Sequence, residues 1–498
     1  NVKSRRKCRN AVISYYIILN LIIAARGIMA KTACTVPISQ IILDEDIYPR
    51  SGVYPKRVSM LAENMRDGFK IDPIEVQIHP EYGDKYRILD GAHRWHAYKE
   101  IGATEIPVHI ITLDGLDPLL YAAKKAIGPL QLTEDEARTT ARRAYENNLR
   151  LTSFEIGQAI GRSRQAVDAY IADLRAATQM ELDLKIFRMN RLGISQERIA
   201  IRFDALQRTI SNHLAKMPEL ANLLNTDLSR GFTVAQVAEK HGWTEPMVWS
   251  IALEGKSDLD RFKALNWGLR TWDLWNWNDC DKRFGDDWPG RIPAQMIAHI
   301  LYYFSDQNDL VFDPMAGGGV VADTCLAFNR KCWSFDMDDR PDTRPEIEPC
   351  FWDITNLKWP IKGKTKPDLI IFDPPYFKKQ SNNYDPDGIS GMSKANYLKF
   401  LENFFALAHS NAKKSTQMAF INADWRDFQN TPAKNETRVN SILINDYLRI
   451  LDQSGWQETH IFQAPLSSER FKANVVSAMQ KKKIIGVTSR YVIISKKK

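Results

Sequence analysis

The chain has 498 residues, 44% hydrophobic and 26% charged, which is an ordinary globular composition and room for about three domains. The formal net charge of +8 permits a nucleic-acid partner without demanding one. The six cysteines form no Cys-x-x-Cys pair and no zinc-like cluster with histidine, so no metal site is expected; they read as reduced, mostly buried thiols of a cytoplasmic protein.

In chain order, a basic stretch (Lys3 to Arg9) precedes an apolar run from Ala11 to Ala25. The run is broken by Asn20 and too short for a confident span, so a signal peptide or short anchor is the lesser alternative. The preferred reading starts translation at Met29 and leaves 1–28 as an extension without structure. Elsewhere no stretch is suited to crossing a membrane. Patterning divides the remainder into a mixed α/β domain at 29–128, a helical region at 129–256, a Trp-rich connector at 257–289 and an alternating α/β domain at 290–498. The connector tryptophans are expected to pin it onto a neighbouring domain, with base stacking a minority alternative.

The helical region carries three repeats of helix-turn-helix pattern, at Ser153 to Val167, Ser195 to Leu214 and Thr233 to Val248. A small residue in each first helix lets the pair cross closely. The second helices of the first two repeats are expected to present Arg162, Arg164, Gln165, Gln207, Arg208, Ser211, Asn212 and His213. Those side-chain types contact phosphates and base edges in duplex DNA. The third repeat is less basic and reads as structural.

In the last domain, Leu310 to Phe312 is an apolar strand followed by Asp313-Pro-Met-Ala-Gly-Gly-Gly319 and then a helical pattern. This is strand, glycine turn, helix: the opening of a nucleotide-binding sheet. Asp336 ends a second strand 23 residues after Asp313, close to the roughly 20 expected of an acid that bonds ribose hydroxyls. Asp353 follows as a third candidate acid. An apolar strand then delivers Asp373, Pro374, Pro375 and Tyr376 to the same sheet edge. The two prolines stiffen a loop that presents a carboxylate, carbonyls and an aromatic face. An exocyclic base amine is a poor nucleophile, because its lone pair is delocalised into the ring. A carboxylate and a carbonyl that accept its two N–H bonds make it a better one.

These motifs resemble the amino-methyltransferases of DNA, which methylate adenine N6 or cytosine N4; the resemblance covers roughly residues 288–497. It implies a Rossmann-like, seven-stranded mixed sheet and the cofactor S-adenosyl-L-methionine. Asp373, Pro374, Pro375 and Tyr376 stand where the family has its catalytic tetrapeptide. Asp313, Pro314, Gly317 and Gly319 match its cofactor loop, although Met315 and Gly318 replace the usual Phe and Ser. Arg291, Pro293 and Gln295 resemble the segment that closes over the methionine end of the cofactor, and Tyr491 to Ser495 resembles the final strand.

Residues 36–112 resemble the N-terminal α+β domain of ParB partition proteins, which is also similar to sulfiredoxin. The carriers are Val36 to Ile41, the helix Val58 to Met65, Pro73 to Val76 and Tyr86 to Ala97. By that resemblance Gly91, His93 and Arg94 hold a nucleotide or phosphate; the alternative is a retained scaffold with an idle pocket. The usual Gly-Glu-Arg-Arg is here Gly91-Ala-His-Arg94, and Ala92 occupies the reactive cysteine position of sulfiredoxin, which excludes that thiol chemistry.

The function expected is site-specific methylation of double-stranded DNA, adenine N6 favoured over cytosine N4, in a bacterial, phage or prophage cytoplasm at the nucleoid. A homodimer is compatible with the sequence. The alternative is a ParB-like DNA-binding regulator or segregation factor whose methyltransferase domain is inactive.

Overall fold

A computed structural model describes residues 31–113, 115–127, 131–352, 357–361, 363, 365–377, 388–426, 440–465, 473–483 and 485–498. The extension at 1–28 and Asp353 lie outside them. The chain divides into two compact units, Asn1–Gln179 and Met180–Lys498, and the division falls within the helix Ala172–Arg191. The helical stretch 129–256 is therefore shared between the units.

The first unit holds a five-stranded mixed sheet made of β1 (Lys31–Pro37), β2 (Ile41–Ile42), β3 (Ile74–Ile78), β4 (Tyr86–Asp90) and β5 (Glu105–Ile111), in the order β1-β5-β3-β4-β2. β1 runs antiparallel to β5, and β3 parallel to it. The helix Pro55–Arg66 has a proline in its first turn and buries Val58 and Ala62 around Ala97 of the helix Ala92–Glu100. The first repeat follows as the helices Ser153–Ile160 and Arg164–Tyr170. Thr152 and Glu155 form a capping box at its start. A Cβ on Gly157 would stand 2.7 Å from the Arg162 carbonyl oxygen, which accounts for the small residue there.

The second unit is built on a seven-stranded mixed sheet. Its strands are β6 (Leu310–Asp313), β7 (Lys331–Asp336), β8 (Ile347–Pro349), β9 (Leu369–Phe372), β10 (Gln417–Ala423), β13 (Trp456–Gln463) and β14 (Arg490–Lys497), with β11 (Trp425–Arg426) and β12 (Asn440–Ser441) forming a separate short ribbon. The order is β13-β14-β10-β9-β6-β7-β8. β6 to β10 pair in parallel, and β14 is inserted antiparallel between β10 and β13. β6 and β9 are fully buried apolar strands, as a sheet covered on both faces requires.

The second and third repeats both belong to this unit. Val237, Val248 and Ile251 of the third share one cluster with Ile297, Val311, Val320 and Leu326. Ile199, Ala200 and Ile210 of the second form a smaller cluster with Ile186, Met189 and Ile194, against which Trp333 of β7 packs. The connector is bound to the same core. Trp275 stacks on Phe462 with ring centroids 4.0 Å apart, Trp267 packs on Phe284, and Trp272 alone of these three is exposed. Of the five described cysteines, Cys325 and Cys332 are buried and Cys34, Cys280 and Cys350 half-buried; all five are free thiols, fewer of them buried than the sequence suggests.

Candidate active site

Sheet order brings the candidate acids together. β7, β6 and β9 are adjacent and parallel, so Asp336, Asp313 and Asp373 all lie at their carboxyl ends. Chain order reverses between β6 and β9, and such switch points open a ligand crevice in α/β sheets.

Asp313 is buried. One of its oxygens accepts the Met315 amide at 3.3 Å, and Oδ2 has no hydrogen-bond partner among the described residues. Burial first, then the charges of Asp336 and Asp373, push its carboxyl well above the usual range. Asp336 accepts the Gly317 amide at 2.8 Å and the Asp338 amide at 3.1 Å, so it shapes the glycine loop directly. Gly317 and Gly319 have φ of +49° and +81°, the left-handed region that favours glycine. Arg340 donates to the Gly317 carbonyl oxygen and stands 4.3 Å from the centre of the Trp288 ring. Arg344 pairs with Asp286 at 2.6 Å and with Asp323 at 3.0 Å.

Arg291 donates to the carbonyl oxygens of Asp281 and Phe284, both at 2.6 Å, and so braces the connector backbone. Pro293 caps the helix Ala294–Phe304. Gln295, in the first turn of that helix, keeps a buried Oε1 with no partner among the described residues.

On the loop after β9, Asp373 has a buried Oδ1 without a partner among the described residues. Burial pushes its carboxyl up to about 7, against the opposing pull of Arg490 and the Tyr376 hydroxyl. Pro374 is buried, and the Pro375 carbonyl oxygen accepts the Tyr397 hydroxyl at 3.3 Å. Tyr376 is half-buried against the apolar core, with its hydroxyl beside Asp373 and Arg490. Desolvated carboxylates at one sheet edge favour a cationic ligand, because each is raised mainly by the loss of water.

Sequence reasoning passed over Arg340, Arg344, Tyr397, Asn422 and Arg490, and read Trp288 only as one of the connector tryptophans. Arg490 opens the strand that the sequence begins at Tyr491, and only its closeness to Asp373 marks it. The others carry no local pattern that sets them apart.

Of the candidate DNA-contacting residues, Arg164, Gln165, Gln207, Arg208, Ser211 and Asn212 are exposed. Arg162 differs. It sits in the turn before the second helix, half-buried, and donates to the Leu132 carbonyl oxygen at 2.9 Å and to Glu134. His213 is a correction: it is buried and bonded to Asp183, because its side of the helix Gln207–Leu214 faces the helix Ala172–Arg191.

In the first unit Gly91 caps the helix Ala92–Glu100 at φ +101°. A Cβ there would stand 2.7 Å from the Ile74 side chain. His93 accepts the Tyr54 amide on Nε2 at 3.1 Å. Burial, then the cations Arg57 and Arg50, push its imidazole down to about 4. Arg94 is drawn into the fold, donating to the carbonyl oxygens of Asp72 and Pro73 and pairing with Asp90 at 2.7 Å. The half-buried Arg50 and exposed Arg57 are the cations that face His93.

Comparison with known proteins agrees with this division. Residues 24–122 match the ParB N-terminal domain model. Residues 186–340 match a DNA methylase model, whose match includes the glycine loop and Asp336 and ends before Asp373. The chain joins a ParB-like N-terminal domain to a DNA methylase domain. A probable chromosome-partitioning protein ParB of Vibrio cholerae is 26% identical over 170 residues, which are 34% of this chain and 56% of that protein. An ATP-dependent L-serine kinase of Staphylothermus marinus is 37% identical over 76 residues, 15% of this chain and 30% of that protein. The chain thus spans only about half the length of the ParB relative and a third of the kinase. A truncated ParB of Caulobacter crescentus, solved with CTP-γ-S, is 24% identical and covers 28% of this chain and 77% of its own, at a TM-score of 0.19. TrmN of Thermus thermophilus is 14% identical and covers 42% of this chain and 50% of its own, at a TM-score of 0.26.

A DNA methylase domain takes its methyl group from S-adenosylmethionine, and the residues present fit that cofactor. The molecule carries a sulfonium and an ammonium, and the partnerless oxygens of Asp313 and Gln295 lie in the two motifs expected to hold it. Among the described residues no helix is long and apolar enough to cross a membrane.

Proposed function

We propose that the chain is a DNA methyltransferase acting on an exocyclic base amine, adenine N6 in preference to cytosine N4. The observation that carries this is Asp373: a desolvated carboxylate oxygen without a hydrogen-bond partner among the described residues, on a double-proline loop, at the sheet edge that also holds Asp313 and Asp336. Asp313, Pro314, Gly317, Gly319 and Asp336 would hold the cofactor, with Pro293 and Gln295 at its methionine end. Arg291 acts through the connector it braces. When bound, S-adenosylmethionine supplies an electrophilic methyl group.

The protein's part is to bind and orient the amine. Ionised Asp373 accepts one N–H bond and stabilises positive charge as it develops on nitrogen, where a preorganised group in a dry site is most effective. A backbone carbonyl of the Pro374–Pro375 pair accepts the other. Tyr376 stacks on the base, which must leave the duplex stack at a cost of a few kcal/mol. The preference for adenine rests on Asp373, since the cytosine enzymes of the resembled family more often carry Ser at that position.

Arg164 and Gln165 in the first repeat, and Gln207, Arg208, Ser211 and Asn212 in the second, are proposed to contact duplex DNA; their exposure on second helices supports this. The ParB-like unit is proposed to bind a nucleotide or phosphate at the amide end of the helix Ala92–Glu100 beside Gly91 and His93. Arg50 and Arg57 supply the positive charge there, and Arg94 braces the turn.

The test is transfer of labelled methyl from S-adenosylmethionine to mixed-sequence duplex DNA, followed by digestion and identification of the modified nucleoside. N6-methyladenine is expected. N4-methylcytosine would overturn the base preference. Cofactor and DNA binding without transfer would favour the inactive, ParB-like regulator.

A further inference from the structure

The loop Asp373 to Tyr376 has a construction problem. Pro374 and Pro375 carry no N–H, so two successive residues cannot tie the loop down through backbone donors. In the structure a side chain takes over. The Tyr397 hydroxyl, on the helix Lys394–Asn411, donates to the Pro375 carbonyl oxygen at 3.3 Å and is bonded by the Phe377 backbone amide. One buried hydroxyl thereby brackets Tyr376 from both sides.

That hydroxyl is itself held. Asn422 Nδ2 donates to it at 2.7 Å, and the Tyr447 hydroxyl lies 3.1 Å from Asn422 Oδ1. Tyr397, Asn422 and Tyr447 are all fully buried. Two links run in one direction, Asn422 donating to Tyr397 and Tyr397 to Pro375, and the Tyr447 hydroxyl, 3.1 Å from both Asn422 Oδ1 and the Ala423 carbonyl oxygen, closes the far end. Hydrogen bonds linked head to tail in a dry interior polarise one another and stiffen the group they end on. Burial, the largest cause, pushes the Tyr397 hydroxyl up, so it stays protonated and remains a donor.

We infer that Tyr397 is a positioning residue for methyl transfer: backed by Asn422 and Tyr447, it fixes the Pro375 carbonyl and the backbone on either side of Tyr376. This rests on the methyltransferase reading above. It adds a residue that does not touch the base and acts through the loop that does.

The experiment uses the full chain carrying Tyr397→Phe, which keeps the ring and removes only the hydroxyl. Labelled methyl transfer to duplex DNA is followed under saturating and limiting S-adenosylmethionine. Folding at the assay temperature is checked by circular dichroism. A loop displaced by a fraction of an ångström costs rate rather than cofactor binding, so kcat should fall roughly 10- to 100-fold, with KM for S-adenosylmethionine and DNA affinity within about twofold of the parent. Tyr447→Phe, one link further away, should show a smaller fall of the same kind, and it serves as the test if Tyr397→Phe does not fold. Parent kcat in Tyr397→Phe, or in Tyr447→Phe when that variant stands alone, overturns the inference. So does a parallel loss of kcat and cofactor affinity, which marks a merely structural hydroxyl. If the parent chain transfers no label, the methyltransferase reading itself fails.

Discussion

Asp373 acts as an acceptor only when ionised, and its burial works against that. With the carboxyl at about 7 in the folded protein, kcat/KM for methyl transfer should rise with pH and level off above about pH 7. The sign for stability is opposite. The folded state holds this proton more tightly than an unfolded chain, whose Asp titrates near 3.9, so stability is lost as pH rises from about 4 through 7. In Asp373→Asn the pH inflection should vanish and the rate should fall by orders of magnitude while cofactor affinity stays near the parent value. A parent rate in this variant removes the tetrapeptide from the chemistry. At Tyr376 the ring face is expected to work, so Tyr376→Ala should lose roughly 1–3 kcal/mol, about 5- to 150-fold in rate, and Tyr376→Phe much less.

At the scale of elements, the glycine loop is held open by backbone shape and by its neighbours together. Gly319 has φ +81°, and a Cβ there would stand 3.0 Å from the Arg344 guanidinium, which is itself paired to Asp286 and Asp323. Gly319→Ala should therefore cost about 1–2 kcal/mol of backbone strain on top of the displaced arginine, and calorimetry should show cofactor affinity down at least severalfold while DNA binding persists. The helix-turn-helix repeats separate two kinds of arginine. Arg164 and Arg208 are exposed on second helices, so replacing either by alanine should weaken DNA binding and lower the salt slope by about one. Arg162 is tied to the Leu132 carbonyl and Glu134, so Arg162→Ala should lower the melting temperature and leave the salt slope alone. Equal slopes across all three variants and the parent would mean that these helices do not face DNA.

Over the whole molecule, legibility followed locality. The strands β6, β7 and β9, the glycine turn and Asp373 to Tyr376 could be read because each is a short pattern whose chemistry depends on spacing along the chain. The division of the helical stretch could not, since the apolar faces of the second and third repeats look alike whether they pack on each other or on a distant sheet. The contacts that decide it are long-range. Arg188 is a clear case: it is buried, donates to Asp323 and pairs with Glu346 at 2.7 Å, 135 and 158 residues away. Arg344 shares both acids and continues to Asp286 beside the glycine loop. Two arginines thus neutralise two buried carboxylates, and removing one leaves the acids under-compensated in a medium that solvates charge poorly. Arg188→Ala should therefore cost about 3–5 kcal/mol, much more than its lost packing alone. Replacing Arg188, Asp323 and Glu346 together by apolar residues of similar volume should recover only part of that loss: the uncompensated acids go with it, while the buried Arg344 keeps Asp286 as its one remaining acidic partner among the described residues. Calorimetric scans of the full chain check this directly. The transition that S-adenosylmethionine raises in the parent is the one that should drop in Arg188→Ala and partly return in the triple variant. An unchanged transition in Arg188→Ala would mean that the acids release their charge by protonation or hydration, and that this network does not fasten the helical segment to the sheet.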